Sequence, residues 1–378
     1  MAKKESALTT LRQSLEAALA ADPDDLAAHS AYADHLVEQG DPRGEFIQVQ
    51  LALEDESRTT TERQQLKERE STLRQQHQRE WLGDLAPLLL DAGEATLRIT
   101  FSFARGWLDA LIVPQIDVTA LGLLGRSATA RLLRRLHLDS ILRTPAVTVE
   151  GPGLFDPAPA PAAEVIDFPC LENIEEFRLG APGEHAAAVP WLLALLAQQP
   201  RLRKLYLHAN LQGNQDEALA RLANLSQLRV LEVNTDRFDL GVLAGNPALA
   251  KLTRLRVRLP ANQIGLDCAG VLAVLRSLRR LKELRLGNCD HGDMLCRYFA
   301  RRGLPAHLTI LELSHSGLTN RMGHLLARSA GIERLELLDV TGNRLTDDAI
   351  DALMDAAGGD VIAADQRSID DTYDEIQE

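Results

Sequence analysis

The sequence predicts an α/β fold in which short parallel strands alternate with helices, behind a small all-helical N-terminal domain. The main observation is a recurring phrase, Leu-x-x-Leu-x-Leu, with an occasional Val at its last position. Six copies, 24 to 29 residues apart, begin at Leu202, Leu228, Leu252, Leu281, Leu308 and Leu335. Two looser copies begin at Leu133 and Ile174. A second observation is that apolar residues between the copies recur at helical spacing, which predicts a helix after each strand.

The interval between copies lies in the range of leucine-rich repeats, about 20–29 residues. Each unit would bury its leucines against its neighbours, so the repeats predict a curved solenoid, or horseshoe, over residues 171–354. A first, degenerate repeat is expected within residues 93–143. Helices are expected at Pro190–Ala197, Asp216–Leu222, Ala269–Leu275, Arg321–Ala327 and Asp347–Leu353.

A second recurring position lies eight residues after the first leucine of each phrase. It is occupied by Asn210, Asp236, Cys289, Ser316 and Asn343. In leucine-rich repeats an Asn or Cys at this position hydrogen-bonds the turn backbone from inside the solenoid. We therefore interpret Cys289 as a structural residue of this series and not as a nucleophile.

The first 57 residues predict three helices. Leucines and alanines between residues 6 and 21 form a helical stripe. Asp22-Pro23 is expected to start a second helix that runs to about Gln39. Gly40 would stop this helix, and Asp41-Pro42 would start a third one that runs to about Leu53.

The turn between the second and third helices carries a specific motif. Tyr32-Ala33-Asp34 is followed by Leu36 and Glu38, and then by Gly-Asp-Pro-Arg-Gly-Glu-Phe-Ile over residues 40–47. This stretch resembles the bacterial repeat-companion domain, which is common in planctomycetes and myxobacteria and often fused to leucine-rich repeats. His35 stands where that family usually has Trp, and Val37 where it has an acid. The resemblance implies an architecture, since the family has no assigned biochemical role.

The residue types of this motif predict a structural lock. Tyr32, Leu36, Phe46 and Ile47 are spaced to meet across the helix–turn–helix. Asp34, Arg43 and Glu45 would form an ion-pair network that holds the turn. The alternative is a catalytic role for these three residues, but no nucleophile or metal-binding cluster accompanies them.

Three segments connect this module to the repeats. Residues 58–92 predict a long charged helix and a connector, with a cap at Thr59–Thr61 and Glu62. Residues 93–143 predict a β/helical cap, with a hairpin-like break at Arg105-Gly106 between alternating segments. Residues 144–170 hold six prolines and predict a mobile loop, which is either an inert insertion or a docking segment for a partner.

The positions between the leucines predict a partner-binding surface on the concave side of the horseshoe. Strand side chains alternate, so the residues between the leucines face outward. The residues assigned to partner binding are Arg178, Lys204, Tyr206, His208, Arg254, Arg256, Arg258 and Arg285. In a chain of net charge -13 this basic stripe favours an acidic peptide or an acidic protein surface. The acidic tail over residues 355–378 would compete for the same stripe.

The sequence gives no positive sign of catalysis. Phosphate-cradling glycine loops, a nucleophile-elbow motif and metal-ligand spacing are missing from it, so we expect a non-enzymatic protein without cofactor or metal. The negative charge argues against general binding of nucleic acid or anionic membranes. The polar start and the short apolar runs predict a cytoplasmic location. The expected function is a recognition scaffold for a protein partner; the alternative is a regulatory or sensor subunit of a catalytic assembly, such as a protease or defence system.

Overall fold

The protein is described by a computed structural model. It describes residues 2–91, 99–142, 168–181, 192–209, 223–235, 240–258, 268–288 and 292–366. The fold is α/β with a large, mostly parallel sheet, in agreement with the predicted fold class. The chain divides into two compact units, residues 1–177 with 194–201, and residues 178–193 with 202–378.

The first unit combines the predicted helical module with the residues that follow it. Its helices are α1 (Ala2–Ala21), α2 (Leu26–Glu38), α3 (Pro42–Glu54), α4 (Thr60–Leu82), α5 (Ala86–Leu90) and α6 (Val118–Arg126). Its strands are β1 (Thr100–Ala104), β2 (Trp107–Val113), β3 (Ile116–Asp117), β4 (Arg135–Leu138) and β5 (Ile141–Leu142). Strand β6 (Glu176–Leu179) and helix α7 (Leu192–Ala197) each hold residues of both units.

The predicted starts of α3 and α4 agree with the structure, and that of α2 does not. Asp41 caps α3 by accepting from the backbone N–H of Arg43, and Thr59 with Glu62 forms a capping box at α4, as predicted. The predicted start of α2 at Asp22 is wrong, because Asp25 is the N-cap and accepts from Ala28 N–H. The Asp22 carboxylate instead accepts from the backbone of Asp24, an Asx-type turn that delays the helix by three residues.

Two apolar clusters form the core of the first unit. In one, Tyr32, Leu36 and Ile47 meet Trp107 of β2. In the other, Phe46 meets Trp81 of α4 and not the first group. The four apolar residues of the motif therefore serve two adjoining clusters, since Phe46 and Ile47 are consecutive in α3 and point to different sides.

The predicted hairpin is present, and its turn docks on α3. β1 and β2 pair antiparallel across Arg105 and Gly106. Gly106 N–H donates to Gln50 Oε1 at 2.7 Å, and its carbonyl oxygen accepts from Arg43 Nε at 2.8 Å. Gly106 has a φ of +78°, and a Cβ there would lie 2.3 Å from Ile47 Cγ1, so the approach requires glycine.

The expected ion-pair network of Asp34, Arg43 and Glu45 does not form among the described residues. Asp34 accepts from Gln48, and Glu45 binds Arg69 of α4 with two hydrogen bonds of 2.6 Å. Arg43 turns inward and lies over the Trp107 ring at 4.3 Å. The three residues point in different directions around α2 and α3, so each one joins a different neighbour.

A buried histidine near the start of α2 makes the stability of the first unit depend on pH. His29 Nε2 lies 3.0 Å from the Pro23 carbonyl oxygen, and burial lowers the pKa of His29 below its ordinary value of 6.5. The unfolded chain therefore binds a proton first, so the free energy of unfolding should fall as the pH drops below about 6.5. Urea titrations at pH 7 and pH 5 should show a smaller loss in His29→Gln than in wild type; equal losses would contradict this.

Strands and helices alternate in the described part of the second unit. Its strands are β7 (Lys204–His208), β8 (Val230–Asn234), β9 (Arg254–Arg258), β10 (Glu283–Gly287), β11 (Ile310–Glu312), β12 (Leu337–Asp339) and β13 (Asp360–Ile362). Its helices are α8 (Leu240–Ala244), α9 (Cys268–Ser277), α10 (Gly292–Arg302), α11 (Asn320–Ala327) and α12 (Asp347–Ala356). The strands pair in chain order, and every pair is parallel.

The recurring leucines occupy equivalent positions on successive strands. Leu205, Leu231, Leu255, Leu284, Leu311 and Leu338 are register partners from β7 to β12. All six are at most 1% exposed. The first leucine of each phrase is equally buried, so the spacing found in the sequence corresponds to one continuous row of core side chains.

The predicted repeat helices are present where the chain is described. α7, α9, α11 and α12 overlap four of the five predicted segments. The fifth, Asp216–Leu222, lies outside the described residues, as does most of the proline-rich segment 144–170. Helices α8 and α10 were not predicted. Each helix from α8 to α11 contacts the next one along the chain.

The position eight residues after the first leucine of each phrase is described for two of its five residues. Asn343 is fully buried; its Oδ1 accepts from Ser316 N–H and Leu318 N–H at 2.9 and 3.0 Å. Its Nδ2 donates to the carbonyl oxygens of Val340 and Leu313. Ser316 is also buried and donates to the Ser314 carbonyl. Asn210, Asp236 and Cys289 lie outside the described residues.

The acidic segment predicted from residue 355 begins inside α12 and contains β13. Strand β13 pairs with β12, and Gln366 donates to the Val340 carbonyl and accepts from Leu345 N–H. Residues 367–378 lie outside the described part of the chain.

Candidate functional site

The predicted partner-binding residues lie mostly on one surface of the second unit, which we call the polar face. It consists of the side chains that alternate with the buried leucines on β7 to β11. Register brings Tyr206, Glu232, Arg256, Arg285 and Glu312 into one row across these five strands. Arg254 and Glu283 are direct neighbours in the adjacent row.

Every arginine of the polar face that we assigned to partner binding contacts a carboxylate. Glu283 forms ion pairs with Arg254 and Arg285. Glu312 lies 3.5 Å from Arg258 and 3.3 Å from Arg285. The basic stripe predicted from the sequence is therefore a compensated network, with a smaller net positive charge than its arginines alone imply.

A third carboxylate completes the network toward β7. Glu232 lies 3.7 Å from the guanidinium of Arg256 and 3.5 Å from His208 Nε2.

The two signs of charge differ in their exposure. The side chains of Glu283 and Glu312 are 10% and 5% exposed, whereas those of Arg254 and Arg258 are 53% and 50% exposed. The two carboxylates are therefore buried, and the guanidinium groups of Arg254 and Arg258 project into solvent above them. Burial alone would lower the pKa of Arg285, but its hydrogen bonds to Glu283 and Glu312 outweigh this and raise the pKa.

The remaining predicted residues lie around β7. Arg178 of β6 lies over the Tyr206 ring, 5.1 Å from its centroid. Lys204 is exposed, whereas His208 is buried beside Glu232. The surface offered to a partner here therefore consists of Arg178, Tyr206 and Lys204, and His208 belongs to the support beneath it.

A pocket of about 220 Å³ opens in the middle of the polar face. Tyr206, Glu232, Arg254, Arg256 and Arg285 form its wall, and Glu283 lies between the last three. It has the size of one or two amino-acid side chains. Its donors are guanidinium groups already oriented by carboxylates, an arrangement suited to a planar acceptor such as a carboxylate.

The described residues offer little support for metal binding, thiol chemistry or a membrane span. Within the described ranges, no cluster of three His, Cys, Asp or Glu side chains could hold a metal ion. Cys170 and Cys296 form no disulfide within the described residues, and burial raises the pKa of Cys170, which makes it a poorer nucleophile. No helix in the described part of the chain has the length and apolarity needed to cross a membrane.

Sequence reasoning missed Glu283 and Glu312 as members of the site. Both occupy outward-facing positions of the repeated phrase, on strands β10 and β11. The signal was available, since parallel strands with equal phrases place Glu283 directly beside Arg254.

Comparison with known proteins gives a distant likeness in fold. No protein-family model matches the chain. No curated protein matches it. Among solved structures, it is similar to a Bacteroides fragilis protein whose crystal structure was a target of the Northeast Structural Genomics Consortium. The identity is 14%, the TM-score is 0.47, and the match covers 66% of this chain and 71% of that one.

Proposed function

We propose that this chain is a non-enzymatic recognition protein that binds an acidic peptide or acidic protein surface on its polar face. The repeating strand–helix units would form a leucine-rich-repeat horseshoe, with the polar face on its concave side. Strands that pair in chain order and helices that contact their successors support this architecture. Residues 1–57 would be a repeat-companion domain fused to it.

The exposed guanidinium groups above buried carboxylates carry this proposal. An arginine side chain has five N–H donors, and the contact of Arg254 or Arg258 with its glutamate leaves further donors for a partner. The glutamates hold these side chains in place before binding. Less side-chain entropy is then lost on association, which favours affinity.

The same arrangement contributes more to the specificity of binding than to the stability of the fold. A buried ion pair gives little net stability once desolvation is counted, so three glutamates beneath the arginines are not explained by folding alone. They do set the spacing of the guanidinium groups along the strands. A partner whose carboxylates match this spacing would be selected over one of equal charge and different spacing.

Neutralising three arginines of the polar face should weaken this binding strongly. The assay is fluorescence anisotropy of a labelled Glu-rich peptide, with a Lys-rich peptide of equal length as the ligand control. We expect the variant with Arg254, Arg256 and Arg258 changed to Gln to bind at least about tenfold more weakly, since charge-assisted contacts are lost. Wild-type binding should also weaken with added salt.

A matched control lies on α10 of the same unit. Arg297, Arg301 and Arg302 are exposed, and changing them to Gln removes the same charge away from the sheet. This variant should bind like wild type. Equal weakening in both triple variants would show a general charge effect, and unchanged binding in the strand variant would overturn the proposal.

A further inference from the structure

A second pocket, of about 450 Å³, lies in the first unit. It is built by α1, the start of α3, the end of α4, the start of β2 and residues 128–131. Its chemistry comes from six residues, Arg12, Glu16, Arg43, Trp81, Trp107 and Arg131. The polar face contributes none of them, so this site is independent of the function proposed above.

Three of these residues hold buried N–H groups with no acceptor among the described residues. The atoms are Arg43 Nη2, Trp81 Nε1 and Trp107 Nε1. Buried donors almost always have a partner in a folded protein, because an unmade hydrogen bond costs free energy. All three atoms belong to residues that line the pocket, and their hydrogen bonds are not made within the described residues.

These donors cannot turn away to other partners. Arg43 is fixed because its Nε donates to the Gly106 carbonyl at 2.8 Å and its guanidinium lies 4.3 Å from the Trp107 centroid. The Trp107 ring is held in place by stacking on the Tyr32 ring, with 5.7 Å between the ring centroids. Trp81 stacks on Phe46 at 4.5 Å. The three side chains are therefore fixed by core packing, and these N–H groups have no acceptor among the described residues.

The pocket is lined by more positively charged than negatively charged side chains. Glu16 accepts from Arg12, Arg131 and the Tyr32 hydroxyl, at 3.0, 3.0 and 2.9 Å. Burial would raise the pKa of Glu16, but the bonds from Arg12 and Tyr32 outweigh it and lower the pKa, so the carboxylate is charged and fully used.

Arg43 has no such compensation. Its guanidinium forms no ion pair within the described ranges, and burial lowers its pKa. The other acid at the pocket, Glu80, has a side chain that is 74% exposed and lies at the rim. Three guanidinium groups face the half-buried carboxylate of Glu16 and the exposed one of Glu80, so the lining has a net positive charge.

We propose that this pocket binds a small ligand through an oxyanion, either a carboxylate or a phosphate. Both groups carry acceptor oxygens, and both match the planar fork of an arginine. A cationic ligand would face three guanidinium groups, and an apolar one would leave the donors unsatisfied. The volume is in the range of small-molecule sites, about 300–1,000 Å³.

Inorganic phosphate and succinate are the probes that separate the two oxyanions. The full-length protein is titrated with each sodium salt, with sodium chloride holding the ionic strength constant. Trp81 and Trp107 are two of the three tryptophans of the chain, so binding should give a saturable change in tryptophan emission. The melting temperature should rise with the same ligand, since it binds the folded state. A response to phosphate alone or to succinate alone assigns the oxyanion.

Arg12→Gln and Arg58→Gln form a matched pair of variants. Both arginines are about half exposed and each is paired with a glutamate four residues on, but only Arg12 lines the pocket. We expect Arg12→Gln to raise the dissociation constant at least about tenfold and Arg58→Gln to leave it unchanged.

Arg43→Gln should abolish the response, and Arg12→Gln decides the question if Arg43→Gln fails to fold. The proposal is overturned if neither salt gives a saturable response. It is also overturned if the pocket variants bind as tightly as wild type.

Discussion

Replacing Asn343 by Leu should lower the free energy of unfolding by at least about 3 kcal/mol, although the two side chains are similar in size. Asn343 makes four hydrogen bonds of 3.0 Å or less to backbone groups of two successive turns. Leucine makes none of them, and each backbone group left unpaired in the core costs about 1–3 kcal/mol. Urea unfolding followed by circular dichroism measures the loss.

Asn320→Leu is the control for this substitution. Asn320 lies at the start of α11 and accepts one hydrogen bond, from the backbone of Thr346. Its replacement should cost about 1 kcal/mol, as expected for a single bond near the surface. A cost for Asn343→Leu no larger than this would mean that the turns do not depend on the asparagine.

The strands of the second unit could be predicted because one pattern recurs there. Leu205 and Leu231 are equivalent in the repeated phrase and equivalent in the sheet. A parallel strand that slipped by one residue would turn its leucines to solvent, so burial fixes the register that the spacing suggests. The position of Asn343 follows from the same count.

Side-chain partners outside that pattern were not predictable. Asp34, Arg43 and Glu45 have complementary charges and lie close in sequence, yet Arg43 stacks on Trp107 and Glu45 binds Arg69. The partners come from β2 and α4, tens of residues away in the chain. Charge indicates that an ion pair is possible, but only the packing of distant elements decides which one forms.

The same limit explains why only one of the two candidate sites could be predicted from the sequence. The polar face could be found because its residues lie between recurring leucines. The pocket of the first unit could not, because Arg12, Trp81 and Arg131 belong to unrelated segments. Its defining property, donors without acceptors, exists only after the helices have packed.

Replacing Phe46 by Ala should destabilise the first unit by about 3–5 kcal/mol, the usual cost of removing a buried aromatic ring. Phe46 is 0% exposed, stacks on Trp81 at 4.5 Å and meets the edge of Phe103 at 5.8 Å. Urea unfolding followed by tryptophan fluorescence reports the change next to the cavity.

Leu26→Ala is the control, because Leu26 is an apolar residue that is 50% exposed at the start of α2. Its loss should stay within about 0.5 kcal/mol. If Phe46→Ala cost as little as Leu26→Ala, Phe46 would not be a core residue.

A large loss of stability also has a consequence for the pocket of the first unit, because Phe46 supports the ring of Trp81, which lines that pocket. Phe46→Ala should then weaken phosphate or succinate binding as well, while Leu26→Ala leaves it unchanged, which would link the packing of the motif to the ligand site.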